Sequence, residues 1–169
     1  MFVLGLDKQI WSTLAFKQKD DILPRDDHAL CCLDDDSFIV FGGFVKGSRV
    51  SELVKFKCSA PNISGEICPI AEGNVAPCVR ASISMSCFDS KLWVFGGQDD
   101  DNNKRQDLWC FDQKLKTWSQ VPVHEGEYLP TARSGHTSVI WGSKMYIFGG
   151  IVELTKELND LVVFDFESM

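Results

Sequence analysis

The tripeptide Phe-Gly-Gly stands at 41–43, at 95–97 and at 148–150, spaced by 54 and then 53 residues. A chain that repeats one short pattern at that interval is built from copies of a small unit, and such units are stable only when stacked, because one copy cannot cover its own apolar faces. Each tripeptide closes a run of β-branched, aromatic and Leu residues: Ser-Phe-Ile-Val-Phe at 37–41, Lys-Leu-Trp-Val-Phe at 91–95 and Lys-Met-Tyr-Ile-Phe at 144–148. Runs this short and this apolar read as strands covered on both faces.

The flanking residues repeat as well. Upstream of each run lies another strand-like stretch (28–33, 83–88 and 136–141) and a polar turn: Asp34-Asp35-Asp36, Asp89-Ser90 and Gly142-Ser143. Strand, tight turn and strand make a hairpin, and these turn residues tolerate positive φ or bond their own backbone. Further upstream are Pro24-Arg25 with His28, Arg80 with Ile83 behind Pro77, and Arg133 with His136 behind Pro130. About ten loop residues after each Gly-Gly, a third strand is expected at 52–56, 107–112 and 160–165; the last two close on Phe-Asp, at Asp112 and Asp165. A fourth follows as Trp-x-x-(Leu/Val), at 11–14 and 118–121, and is reduced to Ile67-Cys68-Pro69-Ile70 in the first complete copy. The chain therefore reads as all-β, four short strands per unit, with no helical periodicity competing.

This pattern resembles the kelch repeat, the building block of β-propellers. The resemblance rests on Gly42-Gly43, Gly96-Gly97 and Gly149-Gly150, on Arg25, Arg80 and Arg133, on His28 and His136, on Asp112 and Asp165, and on Trp118, and it covers essentially the whole chain. It implies kelch-type propeller blades, each a four-stranded antiparallel sheet, in a partial or open propeller of about three. The units are residues 1–23 (third and fourth strands of a preceding blade), 24–76, 77–129, and 130–169, the last lacking its fourth strand. The unit at 24–76 departs most, with Lys57 where Asp is expected and Ile67 in place of Trp. Since kelch propellers resemble six-bladed rings, about three blades amount to half a ring. That is expected of a fragment, or of a chain that completes its ring with a second copy or with further repeats. Alternatively, the Trp11 strand closes against the last three strands.

Composition narrows the function. A net charge of −7 and a pI near 4.9 disfavour nucleic acid, which needs clustered Lys and Arg. Seven Cys without a CxxC spacing, and only His28, His124 and His136, offer no zinc pattern. Free, half-buried thiols in a reducing compartment are expected, hence a cytoplasmic protein. The opening Met1-Phe2-Val3-Leu4-Gly5-Leu6-Asp7 has neither the basic start of a signal peptide nor the length of a membrane span. Neither a phosphate loop nor a nucleophile elbow occurs.

Arg25, Arg80, Arg133, His28 and His136 recur with the repeat, which a catalytic residue need not do, so they are read as structural. Acidic partners near the third strand, such as Asp112 or Asp165, are expected for the arginines. Asp99-Asp100-Asp101-Asn102-Asn103 lacks the Gly and bidentate Glu of a calcium loop and reads as a solvated loop. What varies between copies is the loop after each Gly-Gly (44–51, 98–106, 151–159) and the linker between units (15–23, 71–76, 122–129). Constant strands carrying variable loops suggest a scaffold for a binding face, with Phe44, Lys46, Arg49, Lys104 and Arg105 as candidates for partner contact. The expectation is a protein-interaction module with no cofactor and no enzymatic activity. The resemblance implies a cytoskeletal protein such as actin, or a ubiquitin-ligase substrate, among its targets. The alternative is the propeller of an enzyme like galactose oxidase, for which Tyr128 and Tyr146 are the only tyrosines.

Overall fold

The computed structural model describes residues 2–17, 22–123 and 128–168. His124, and parts of the linkers 15–23 and 122–129, lie outside them. The described residues form strands and connecting turns, with no helix.

Two strands at the start, β1 (Phe2–Gly5) and β2 (Ile10–Thr13), pair antiparallel as a sheet of their own. Trp11 is therefore not a strand closing against the last unit; it sits on this ribbon, largely exposed. β3 (Ala15–Lys17) then lies parallel to the strand at Asn62–Ile67 on the edge of the first large sheet. That sheet runs β3-β9-β8-β5-β4, from β4 (Ala29–Cys32), β5 (Ser37–Phe41), β8 (Leu53–Ser59) and β9 (Asn62–Ile67). Short β6 (Phe44–Val45) and β7 (Ser48–Arg49) make a hairpin in the loop after Gly43. The second sheet runs β11-β12-β14-β15, from β11 (Ser84–Phe88), β12 (Lys91–Phe95), β14 (Leu108–Asp112) and β15 (Thr117–Gln120), beside a small pair β10 (Arg80–Ala81) and β13 (Gln98–Asp99). The third sheet runs β16-β17-β18: β16 (Thr137–Trp141), β17 (Lys144–Phe148) and β18 (Leu161–Asp165).

The register corrects one reading. The fourth strand of the first sheet is Asn62–Ile67, not 67–70. It pairs with β8 so that Phe56 faces Gly65, as Phe111 faces Trp118 one unit later. Gly65, not Ile67, thus occupies the Trp position. A Cβ there would stand 2.7 Å from Ile22 Cδ1 and 2.9 Å from the Phe56 ring. Ile22 fills the space an indole takes elsewhere, and Phe16 packs against Phe56 at 5.8 Å.

The core lies between the sheets. Ala29, Ile39, Phe41 and Leu53 of the first pack onto Met85, Leu92, Val94 and Phe111 of the second. Trp93, Phe95 and Cys110 on the far face of the second pack onto Met145, Ile147 and Val162 of the third. Because alternate residues face opposite ways, β12 supplies both interfaces: Leu92 and Val94 one way, Trp93 and Phe95 the other. Trp118 covers Phe41 of the preceding unit at 5.2 Å. The seven cysteines are unpaired. Burial pushes the Cys31 thiol up to about 12 and the Cys110 thiol up to about 11.

Candidate functional site

The repeated arginines sit at the heads of the sheets and close each Phe-Gly-Gly turn. Both glycines of each pair have positive φ, 66° and 88°, 64° and 93°, 68° and 96°, a region that L side chains resist. That backbone turns the first glycine's carbonyl towards the arginine: Arg80 Nη1 donates to Gly96 O at 3.0 Å, and Arg133 Nη1 to Gly149 O at 3.0 Å. Each guanidinium then forks onto one carboxylate. Arg80 meets Asp107 at 2.7 and 3.0 Å, and Arg133 meets Asp160 at 2.7 and 2.8 Å. Arg25 makes the looser form, one bond of 2.9 Å to Glu52.

The partners are thus the acids that precede the third strand, 27 residues after each arginine. Asp112 and Asp165 do other work. Asp112 Oδ1 accepts the backbone N–H groups of Lys114 and Leu115, and Asp165 pairs with Lys144 at 2.7 Å. Burial alone would raise the Asp107 carboxyl, but the hydrogen bonds and charge of Arg80 outweigh it and hold it below the usual range. The Arg133 bonds do the same for Asp160.

The position three residues after each arginine is a wedge between units. A Cβ on Gly42 would meet Ile83 Cδ1 at 3.0 Å, and one on Gly96 would meet His136 Cε1 at 2.9 Å. His136 also stands edge-on to Phe95 at 5.3 Å. His28 holds the same position in the first unit, packs over Gly43 and is exposed. Burial, aided by the Arg133 charge, lowers the His136 pKa to about 4. The folded protein thus keeps this imidazole neutral while the unfolded chain protonates near 6.5. As pH falls from 6.5 to 4 the unfolded state binds the extra proton, and stability should fall by on the order of 1 kcal/mol per pH unit. His136→Ile, which copies Ile83, should flatten that window in urea unfolding at pH 4–7 and leave stability at pH 7 intact. An unchanged slope would refute the assignment.

The loops after the Gly-Gly pairs form one rim. Arg49 lies over the Phe44 ring at 4.8 Å and donates to Gln98 at 3.1 Å and Asn102 at 3.0 Å, tying the first loop to the second. Lys104 reaches Ser134 at 2.7 Å, tying the second loop to the segment that leads into β16. Arg105 pairs with Asp99 at 3.5 Å. Asp99 accepts the N–H groups of Asp101 and Asn103, so the acidic run is a turn held by its own first residue. Of the five candidate contact residues, Phe44, Arg49, Lys104 and Arg105 brace the rim, whereas Lys46 projects from a turn into solvent. Asp100, Asp101, Glu153, Lys156 and Glu157 are exposed beside it.

The linker 71–76 is not a free loop. Ala71 N–H bonds Lys116 O, and the Asn74 side chain brackets the backbone of Trp118. A cleft of about 480 Å³ opens where 104–108 approaches Val121, Tyr128 and Leu129.

The repeat, the braced turns and the stacked sheets agree with the comparison to known families. The model of the KLHDC2/KLHL20/DRC7 Kelch-repeats domain matches residues 1–169. The chain belongs to the kelch-repeat family. Its sheets are propeller blades, and among the described residues they do not close into a ring. The chain is 32% identical over 138 residues to a leucine-zipper-like transcriptional regulator 1 homolog of Drosophila melanogaster, covering 79% of this chain and 14% of that protein. It is 34% identical over 104 residues to Kelch domain-containing protein 3 of Bos taurus (60% and 27%). It is 29% identical over 119 residues to a probable serine/threonine-protein kinase of Dictyostelium discoideum (70% and 9%). The chain spans about a quarter or less of the length of these relatives. Kelch domains serve generally as protein-interaction modules.

Proposed function

We propose that this kelch array binds a protein partner, as a scaffold or substrate adaptor, through the loop rim formed by 44–50, 98–106 and 151–158, and that it is not a catalyst. The observation that carries the reading is the bracing of the rim. Arg49 fastens the first loop to the second, and Lys104 fastens the second to Ser134, which bridges Ile151 at the start of the third, so the rim is ordered before a partner arrives and association need not order it. The repeated Arg and His residues, the groups best suited to chemistry, are spent on glycine carbonyls, carboxylates and blade packing. The exposed charges left on the rim are mostly acidic, which suits a partner with a basic contact surface. A cytoplasmic setting fits the seven unpaired cysteines.

The test is quantitative affinity purification of the wild-type chain against Asp100→Lys/Asp101→Lys and Lys46→Glu. The rim variants should lose their specific partners by about tenfold, while Leu115→Glu, in the exposed β14–β15 turn, should retain them. Equal recovery from all of these would overturn the rim as the binding face.

A further inference from the structure

The boundary between the first two blades holds a pair of thiols that the binding rim does not use. Cys31 lies on β4 and Cys87 on β11, each the edge strand of its sheet. These two edge strands pack side by side across the boundary. Alternation turns Ala29 and Cys31 of β4 forward and Met85 and Cys87 of β11 back, and all four pack on one core cluster. Both thiols are half-buried, and neither is in a disulfide. Burial first, and the Cys87 sulfur second, raise the Cys31 thiol, so the two sulfurs lie within electrostatic reach of each other.

The next boundary shows how far such side chains reach. Ser86 holds the register position of Cys31, since it pairs with Trp93 of β12 as Cys31 pairs with Ile39 of β5. Ser86 Oγ lies 2.9 Å from Ser138 Oγ on β16, the edge strand of the third sheet. Short side chains on consecutive edge strands therefore touch across a blade boundary. Other thiols are placed elsewhere. Cys32 alternates to the opposite face of β4 and is exposed. Cys68 lines the same cluster, but from beyond the end of β9, a strand three places from β4. Cys110 packs on the interface between the second and third blades.

We infer that Cys31 and Cys87 form a redox pair, which a peroxide closes into a disulfide that staples the first blade to the second. Two thiols and one hydrogen peroxide yield one disulfide and two waters. One sulfur, as its thiolate, attacks a peroxide oxygen; the S–O bond forms, the O–O bond breaks and hydroxide leaves. The second sulfur displaces hydroxide from that sulfenic acid as the S–S bond forms. The two thiol protons end on the two hydroxides, the sulfurs lose two electrons and the peroxide oxygens gain them. Burial keeps both thiols protonated at neutral pH, so closure is slow and answers sustained oxidant rather than a brief pulse. The staple joins the two blades whose loops Arg49 already ties.

The test is to treat the folded 169-residue chain with hydrogen peroxide, cap remaining thiols with iodoacetamide, digest, and find the cross-linked peptides by mass spectrometry. One peptide pair should join Cys31 to Cys87, lighter by two hydrogens than the two reduced peptides together, and dithiothreitol should separate it. Oxidation should raise the urea midpoint by about 1–2 M, because the bond closes a long loop in the unfolded chain. Cys87→Ser should abolish both the cross-link and the shift, whereas Cys32→Ser should keep both. Should Cys87→Ser fail to fold, the peptide map of the wild-type chain decides alone. Cys31 and Cys87 both still capped by iodoacetamide after prolonged oxidation overturn the inference. So does Cys31 joined to Cys32 or to any other cysteine, or oxidation that stops at sulfinic acid on either thiol.

Discussion

Arg80→Met should lower the unfolding free energy by about 3–5 kcal/mol, because it leaves the Asp107 carboxylate buried without its charge partner. The arginine side chain is 1% exposed and Asp107 9% exposed. The substitution also strips bonds from the carbonyls of Gly96 and Cys78. Arg25→Met should cost far less, about 1 kcal/mol, since Glu52 is 42% exposed and water takes over the lost bond. The difference arises from position. The second blade is covered on both sides, so its ion pair is largely shielded from water. Urea unfolding at neutral pH, with the m-value held constant, measures both. Equal losses would show that flanking blades do not set the strength of the clamp.

Gly42→Ala should destabilise by about 3–5 kcal/mol, through strain at positive φ together with a clash that forces two blades apart. Its φ is 66°, and a Cβ would lie 2.6 Å from Arg80 O. Gly149 supplies the control within the same molecule. It has nearly the same φ, 68°, with only its own blade's Leu158 O at 3.2 Å. Gly149→Ala in dilute protein should therefore show the backbone strain alone, about 1–2 kcal/mol. If the two substitutions cost the same, the diglycine serves the turn and not the close approach of neighbouring blades.

Much of the site was legible one residue type at a time. The arginines, the diglycines and the His/Ile wedge were marked by recurrence alone. The carboxylate partners were equally available, because Glu52, Asp107 and Asp160 each stand 27 residues after an arginine. The Phe-Asp endings drew attention to the wrong end of the third strand. A strand pairs its first residue with the head of the hairpin and its last with the hairpin turn, so Asp112 and Asp165 were out of reach of the guanidinium from the start. The assignment of Ile67 to the Trp position fails for a related cause. Aligning Ile67 with Trp118 kept the strand short, whereas the ladder runs from Asn62 and puts a glycine opposite Phe56, leaving room for Ile22.

The rim shows the limit more plainly. Nothing in the spacing of Arg49, Gln98 and Asn102 says that they touch, since contacts between loops on different blades depend on how far one sheet is rotated against the next. The sequence by itself determined the repeat, the strand order within a blade and the residues that face inward, because these follow from a period-two pattern, turn chemistry and glycine's freedom at positive φ. Only the tertiary structure decided which carboxylate each arginine clamps, and which loop charges are braced and which are free. Those depend on the placement of one sheet against another, which no local pattern encodes.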